Sequence, residues 1–184
     1  MRSQVSRHLG LLALAWITLL APAVHAEQAD KMGPTYGIAG ATFPVPGVMA
    51  SGQPTGEQLQ LLAEEGYHTI IDLRPAEEPH GFDEPAAARD NGLAYVNIPV
   101  TPATLDQAAI DRFLDAMRGA RKPVIVHCST AGRVGALFYA WLVLEQKETP
   151  AKALEKARAI GLHHPELTGK VQKLVAERKA SAAR

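Results

Sequence analysis

The chain has 184 residues, 47% of them hydrophobic, with 19 basic and 19 acidic side chains. That length supports one domain of ordinary size around a single core, and the charge balance gives no general attraction for nucleic acid or an anionic membrane. Cys128 is the single cysteine, which excludes an internal disulfide framework.

The chain opens with Arg2 and Arg7 ahead of an apolar run from Leu9 to Leu20, then Ala21-Pro22-Ala23-Val24-His25-Ala26. This pattern predicts a secretory signal peptide over residues 1–26, cut after Ala26. The run is short for a membrane span of about 20 apolar residues. The expectation is an exported protein, periplasmic or secreted, with no stable membrane association. Without the leader the balance is 17 basic against 19 acidic residues. An unpaired thiol in an oxidising compartment is a liability unless it is used or well buried.

Residues 27–47 predict an irregular arm, with scattered glycines and a Phe43 to Pro46 stretch too rich in proline for a central strand. The domain is expected over 48–178. Val48-Met49-Ala50 predicts a short strand, and a helix follows from Thr55 to Gly66 with Leu59, Leu62 and Ala63 on one face. His68 to Leu73 predicts a buried strand. The loop from Arg74 to Pro85 holds Glu77, Glu78, His80, Asp83 and Glu84, a supply of substitute acids for chemistry, although a solvated acidic loop is the preferred reading. A short helix to Gly92 and a strand over Leu93 to Ile98 come next.

Thr104-Leu105-Asp106-Gln107 fits a capping box with Thr104 as the cap, ahead of an amphipathic helix from Leu105 to Ala120. Asp106 is sufficiently explained as an acidic residue in a first helical turn. Val124 to Val126 predicts a central parallel strand covered on both faces. Val134 to Leu144 is apolar all round, as a helix in the middle of a domain would be. Thr149-Pro150 starts another helix, His163-His164-Pro165 is loop, and a last helix gives way to a frayed tail over 179–184. Strands alternating with helices predict an α/β three-layer sandwich with a mainly parallel central sheet, whose ligands bind at the carboxyl ends of the strands.

Cys128 sits at such an end, within Val124-Ile125-Val126-His127-Cys128-Ser129-Thr130-Ala131-Gly132-Arg133-Val134-Gly135. A loop of Ser129, Thr130, Ala131 and Gly132 lets successive backbone N–H groups turn inward, and the following helix adds its positive N-terminal end. That field favours the Cys128 thiolate. Arg133 brings a planar fork for two anionic oxygens. The competing bland reading is a buried core cysteine with Arg133 on the surface. His127 is read as a residue that hydrogen-bonds within the loop and holds its shape, and no metal site is expected.

The segment resembles the signature loop of the cysteine-dependent tyrosine and dual-specificity phosphatases: His-Cys, five residues, Arg, Ser or Thr, Gly. Ser51-Gly52-Gln53-Pro54-Thr55, Ile70-Ile71-Asp72-Leu73-Arg74-Pro75 and Tyr95-Val96-Asn97-Ile98-Pro99-Val100 resemble the flanking segments of a compact bacterial branch, some of whose members are called beta-lactamase-hydrolase-like. The resemblance covers about Val48 to Leu162 and implies a dual-specificity-phosphatase-like fold. It also shows three departures. Only four residues separate Cys128 from Arg133, a spacing seen in rhodanese-type sulfurtransferases. Val134 stands where the family has a hydroxyl residue that helps the thiolate leave. The loop Val100-Thr101-Pro102-Ala103-Thr104 has no carboxylate where the family has its aspartic general acid.

The resemblance implies hydrolysis of phosphate monoesters through a phosphocysteine, with Cys128 as nucleophile, Arg133 and the 129–132 loop holding the phosphoryl group, and Ser129 or Thr130 donating to the thiolate. No cofactor is implied. The substrate would be a phosphorylated protein or a small phosphoester. Asp106 and Asp83 are the candidates named for the leaving-group acid. The alternatives, in order, are a phosphate-binding pseudophosphatase without turnover and a rhodanese-like sulfurtransferase.

Overall fold

The alternation of apolar side chains along three short strands decides which helices cover which face. The computed structural model describes residues 35–182. The strands are β1 (Thr42–Val45), β2 (Val48–Ser51), β3 (Thr69–Asp72), β4 (Ala94–Asn97) and β5 (Val124–His127). Their order in one sheet is β1-β2-β5-β3-β4, with β1 antiparallel to β2 and every other pairing parallel. The helices are α1 (Gly56–Glu64), α2 (Glu84–Asp90), α3 (Gln107–Gly119), α4 (Gly132–Leu144), α5 (Pro150–Ile160) and α6 (Pro165–Ala182).

Val48, Ala50, Ile71, Val124 and Val126 point to one face, where α3, α4, α5 and α6 build the larger core. Met49, Ile70 and Ile125 point to the other, against Leu59 and Leu62 of α1 and Ala88 of α2. Successive side chains of a strand face opposite ways, so a central parallel strand reads as an unbroken apolar run. This is the three-layer α/β architecture that the sequence implies.

Helix α4 lies innermost, with every residue from Val134 to Val143 buried. Its approach to α5 depends on Gly135, where a Cβ would stand 2.6 Å from the carbonyl oxygen of Ala157 and 2.9 Å from the amide nitrogen of Leu162. Both obstacles are backbone. Gly135→Ala should therefore cost about 1–3 kcal/mol of stability by overpacking, read as a lower denaturant midpoint at unchanged slope.

Several boundaries differ from the sequence expectations. The arm over 27–47 contributes β1, and Ile38 is buried ahead of it. Phe43 and Pro44 are tolerated there because β1 is an edge strand, where a missing N–H breaks no ladder on the open side. Helix α3 is capped by Asp106, whose carboxylate accepts from the Ala109 amide at 2.7 Å. Thr104, expected as the cap, instead exchanges hydrogen bonds with Thr101 at 2.9 and 3.1 Å. The expected frayed tail is helical through Ala182, with Ser181 donating to the Glu177 carbonyl. The signal peptide over 1–26 lies outside the described residues. Among the described residues, no helix is long and apolar enough to cross a membrane.

Candidate active site

Strand β5 sits between β2 and β3, paired residue for residue with both, and delivers His127 and Cys128 to the carboxyl end of the sheet. Cys128 is a free, buried thiol whose amide donates to the Ser51 carbonyl at 3.4 Å. The next four residues turn the chain into α4. Thr130 forms a single bridge with Gly52, and Ala131 takes a left-handed conformation at φ 65° to begin the helix. No side chain caps α4. Its leading amides therefore keep the positive end of the dipole available to a ligand.

Two glycines clamp this turn. A Cβ on Gly52 would meet the carbonyl oxygens of Ala39 and Ser129 at 2.9 and 3.0 Å, and one on Gly161 would approach the Ala131 backbone at 3.2 Å. A side chain at Gly52 would force backbone to shift and one at Gly161 would crowd it, so the loop backbone is held closely from both sides.

Arg133, one residue into α4, folds back over the loop. Its guanidinium grips Glu78 with both terminal nitrogens, at 2.5 and 2.8 Å, and also donates to Ser129 Oγ at 2.9 Å and to the Val100 carbonyl at 3.1 Å. Ser129 Oγ in turn donates to Glu78 Oε2 at 2.6 Å. Burial works against the charged form of Arg133, but Glu78 and the neighbouring Cys128 outweigh it, so its proton is held above the ordinary guanidinium value. The Glu78 carboxyl lies below the usual range because Arg133 hydrogen-bonds it, with Ser129 adding to the effect.

Beneath the loop is a buried polar network. Arg74 reaches Asp72 through Nε at 3.0 Å and a terminal nitrogen at 2.9 Å, and the same nitrogen contacts Glu84. Tyr95 donates to Asp72 Oδ2 at 2.8 Å. His127 Nε2 lies 2.8 Å from Glu84 Oε1, without the alignment of a hydrogen bond, and Nδ1 lies 3.8 Å from Asp72. Asp72, Arg74, Glu84 and His127 are all fully buried. Burial would raise the Asp72 carboxyl, but Arg74, His127 and Tyr95 together lower it.

Asp72, His80 and Glu84 bring ligand atoms within 4.8 Å of one another. Both carboxylates already share the Arg74 guanidinium, so the positive charge that a metal would supply is present.

Asp72 and Glu78 make a signed prediction. Each carboxyl is lowered in the folded state, so its contribution is present above the unfolded carboxylate value and is lost as pH falls through the lower folded value. Melting temperature should hold near neutrality and drop below about pH 4, and Glu78→Gln should flatten part of that drop.

The structure brings Cys128, Ser129 and Arg133 together at one strand end. Ser129 is committed to Glu78 and Arg133 and does not serve the thiol. His127, expected to hydrogen-bond within the loop, makes no side-chain hydrogen bond there; its ring faces the buried carboxylates of Glu84 and Asp72 instead. Asp106 and Asp83 are both helix caps, Asp83 accepting from the Ala86 amide at 3.0 Å, and neither joins the hydrogen bonds of Arg133. The acidic loop is not simply solvated: Glu84 is buried against Arg74, and Glu78 reaches the cradle. The Asp72–Arg74 pair was visible as the Asp-Leu-Arg of a resembling motif, but nothing in one sequence gave it a role.

A family profile described as "DSP-PTPase phosphatase fused to NAD+ Kinase" matches residues 47–173, more than half of the chain. The chain belongs to this DSP-PTPase family. Its domain is also similar to the DUF442 protein of Shewanella putrefaciens CN-32, at a TM-score of 0.65 and 27% identity, covering 79% of this chain and 92% of that one. The core catalytic domain of the PP-IP phosphatase SIW14 from S. cerevisiae shares the fold at a TM-score of 0.64 and 17% identity, over 79% of this chain and 93% of that one. In sequence, the Beta-lactamase hydrolase-like protein of Xylella fastidiosa (strain Temecula1 / ATCC 700964) is 37% identical over 118 residues, 61% of this chain. The matched stretch spans only 27% of that relative's length.

Proposed function

We propose that this protein is an exported phosphatase that hydrolyses phosphate monoesters through a phosphocysteine. The observation that carries the reading is the placement of a buried thiol at the end of β5 between an uncapped helix N-terminus and a two-pronged guanidinium. Cys128 attacks phosphorus as the thiolate. The loop amides and Arg133 stabilise the equatorial oxygens, where charge gathers in the transition state. Water then hydrolyses the phosphocysteine, with Glu78 and the acidic loop at the mouth of the site. Family membership supports phosphoester chemistry, and the leader pattern in the sequence supports export. The substrate is read as a phosphorylated protein or a small phosphoester.

Hydrolysis of an activated aryl phosphate tests it, because a good leaving group needs little acid assistance. Turnover that persists with chelator and vanishes in Cys128→Ser supports the reading; no turnover by reduced wild type refutes it. Sulfur transfer ranks last of the alternatives, behind the non-catalytic binder, and is favoured by the four-residue turn between Cys128 and Arg133. It predicts a persulfide on Cys128 by intact mass after incubation with a sulfane-sulfur donor. Anion binding that survives in Cys128→Ser without any turnover in wild type would leave the non-catalytic binder.

A further inference from the structure

We infer that Glu78, on the loop after β3, is the proton donor to the leaving group, brought into use when the substrate's phosphoryl group displaces it from Arg133. The inference rests on the phosphatase reading and names the acid that reading lacks. The loop after β4, where the family keeps its acid, has no carboxylate between Val100 and Thr104 and gives Arg133 only the Val100 carbonyl. Asp106 and Asp83 hold helix amides. Glu78 alone among the described carboxylates hydrogen-bonds both Arg133 and the loop hydroxyl of Ser129.

Its two oxygens occupy the fork that two phosphoryl oxygens need, so substrate and Glu78 exclude each other there. The charged groups around Glu78 are the guanidiniums of Arg133 and Arg74, with the Cys128 sulfur behind Arg133. When an oxyanion takes Arg133, the carboxylate loses its strongest cation and gains an anionic neighbour. Both changes favour the protonated form. The exchange therefore converts a resting counter-ion into an acid beside the bound ester. Its partial exposure, 30% of the side chain, leaves room for the swing.

In the first step the S–P bond forms, the P–O bond to the leaving group breaks, and the departing oxygen's electron pair takes the Glu78 proton to give an alcohol. In the second, Glu78 accepts a proton from water as the water oxygen bonds to phosphorus and the S–P pair returns to sulfur. The sum is monoester plus water to alcohol plus inorganic phosphate, with no oxidation or reduction.

The test compares wild type with Glu78→Gln on nitrophenyl phosphate and on unactivated phenyl phosphate, beside tungstate binding in a Cys128→Ser background. Glu78→Gln should lose about 100-fold or more in kcat/KM on phenyl phosphate and far less on nitrophenyl phosphate. Tungstate should bind about tenfold more tightly to Cys128→Ser/Glu78→Gln than to Cys128→Ser, because one charge-assisted competitor is gone. Equal losses on the two esters, or weaker tungstate binding, would overturn the proposal and make Glu78 a structural brace. Absence of Cys128-dependent turnover by wild type on both esters would instead remove the phosphatase reading, and the acid with it.

Discussion

Arg74→Leu should lower the unfolding free energy by about 3–5 kcal/mol, the usual cost of removing one partner from a buried charge pair. Arg74 is fully buried and is the cation shared by two fully buried carboxylates, Asp72 and Glu84. Without it, two negative groups remain in a low-dielectric interior, with Tyr95, His127, His80 and the backbone amide of residue 74 as their remaining polar neighbours. A loss of that size is a large part of the roughly 5–15 kcal/mol that holds a typical domain together. Denaturant unfolding followed by circular dichroism measures it. A change below about 1 kcal/mol would mean that the carboxylates take up protons at little cost or that water enters the cluster. Restoring shape and neutrality together, with Asp72→Asn and Glu84→Gln on the Arg74→Leu background, should recover part of the loss.

Cys128→Ser and Arg133→Ala should separate chemistry from binding. Cys128→Ser is expected to lose at least about 10³-fold in kcat on an aryl phosphate while keeping oxyanion binding, since the hydroxyl is a far weaker nucleophile but the amides and guanidinium remain. Arg133→Ala is expected to lose about 10²-fold or more in kcat/KM and oxyanion binding as well. It should fold, because its main partner, Glu78, is partly exposed and can be solvated once released. Isothermal calorimetry with tungstate on both variants reads the binding arm. Retained tungstate affinity in Arg133→Ala would place the anion elsewhere.

Much of the fold can be read in the sequence because its signals are short-range. The Val124 to Val126 run, the apolar circumference of α4 and the Thr149-Pro150 start of α5 each determine their element from neighbouring residues. The cap of α3 shows the limit of that reading. Thr104 and Asp106 both present cap chemistry, and the choice falls to Asp106 because Thr101 occupies the Thr104 hydroxyl. The thiol and its loop are legible for the same local reason. Glu78 is not: it lies 55 positions from Arg133 in sequence, in a stretch whose composition is that of any solvated acidic loop. Only the swing of the chain after β3 brings it to the cradle. The buried charges were hidden in another way. Asp72 and Arg74 flank an apolar residue at a strand end, a pattern equally suited to the surface, and the parallel pairing of β3 with β5 is what sets them beneath His127.

The proposed chemistry requires Cys128 to become covalently phosphorylated during turnover. Intact mass of wild type, quenched in acid during turnover of nitrophenyl phosphate, measures this directly. The expected species carries one added phosphoryl group, mapped to the Cys128 peptide and absent from Cys128→Ser. Sustained phosphate release with only unmodified protein across the whole quench series, or with the label on a different residue, would contradict it.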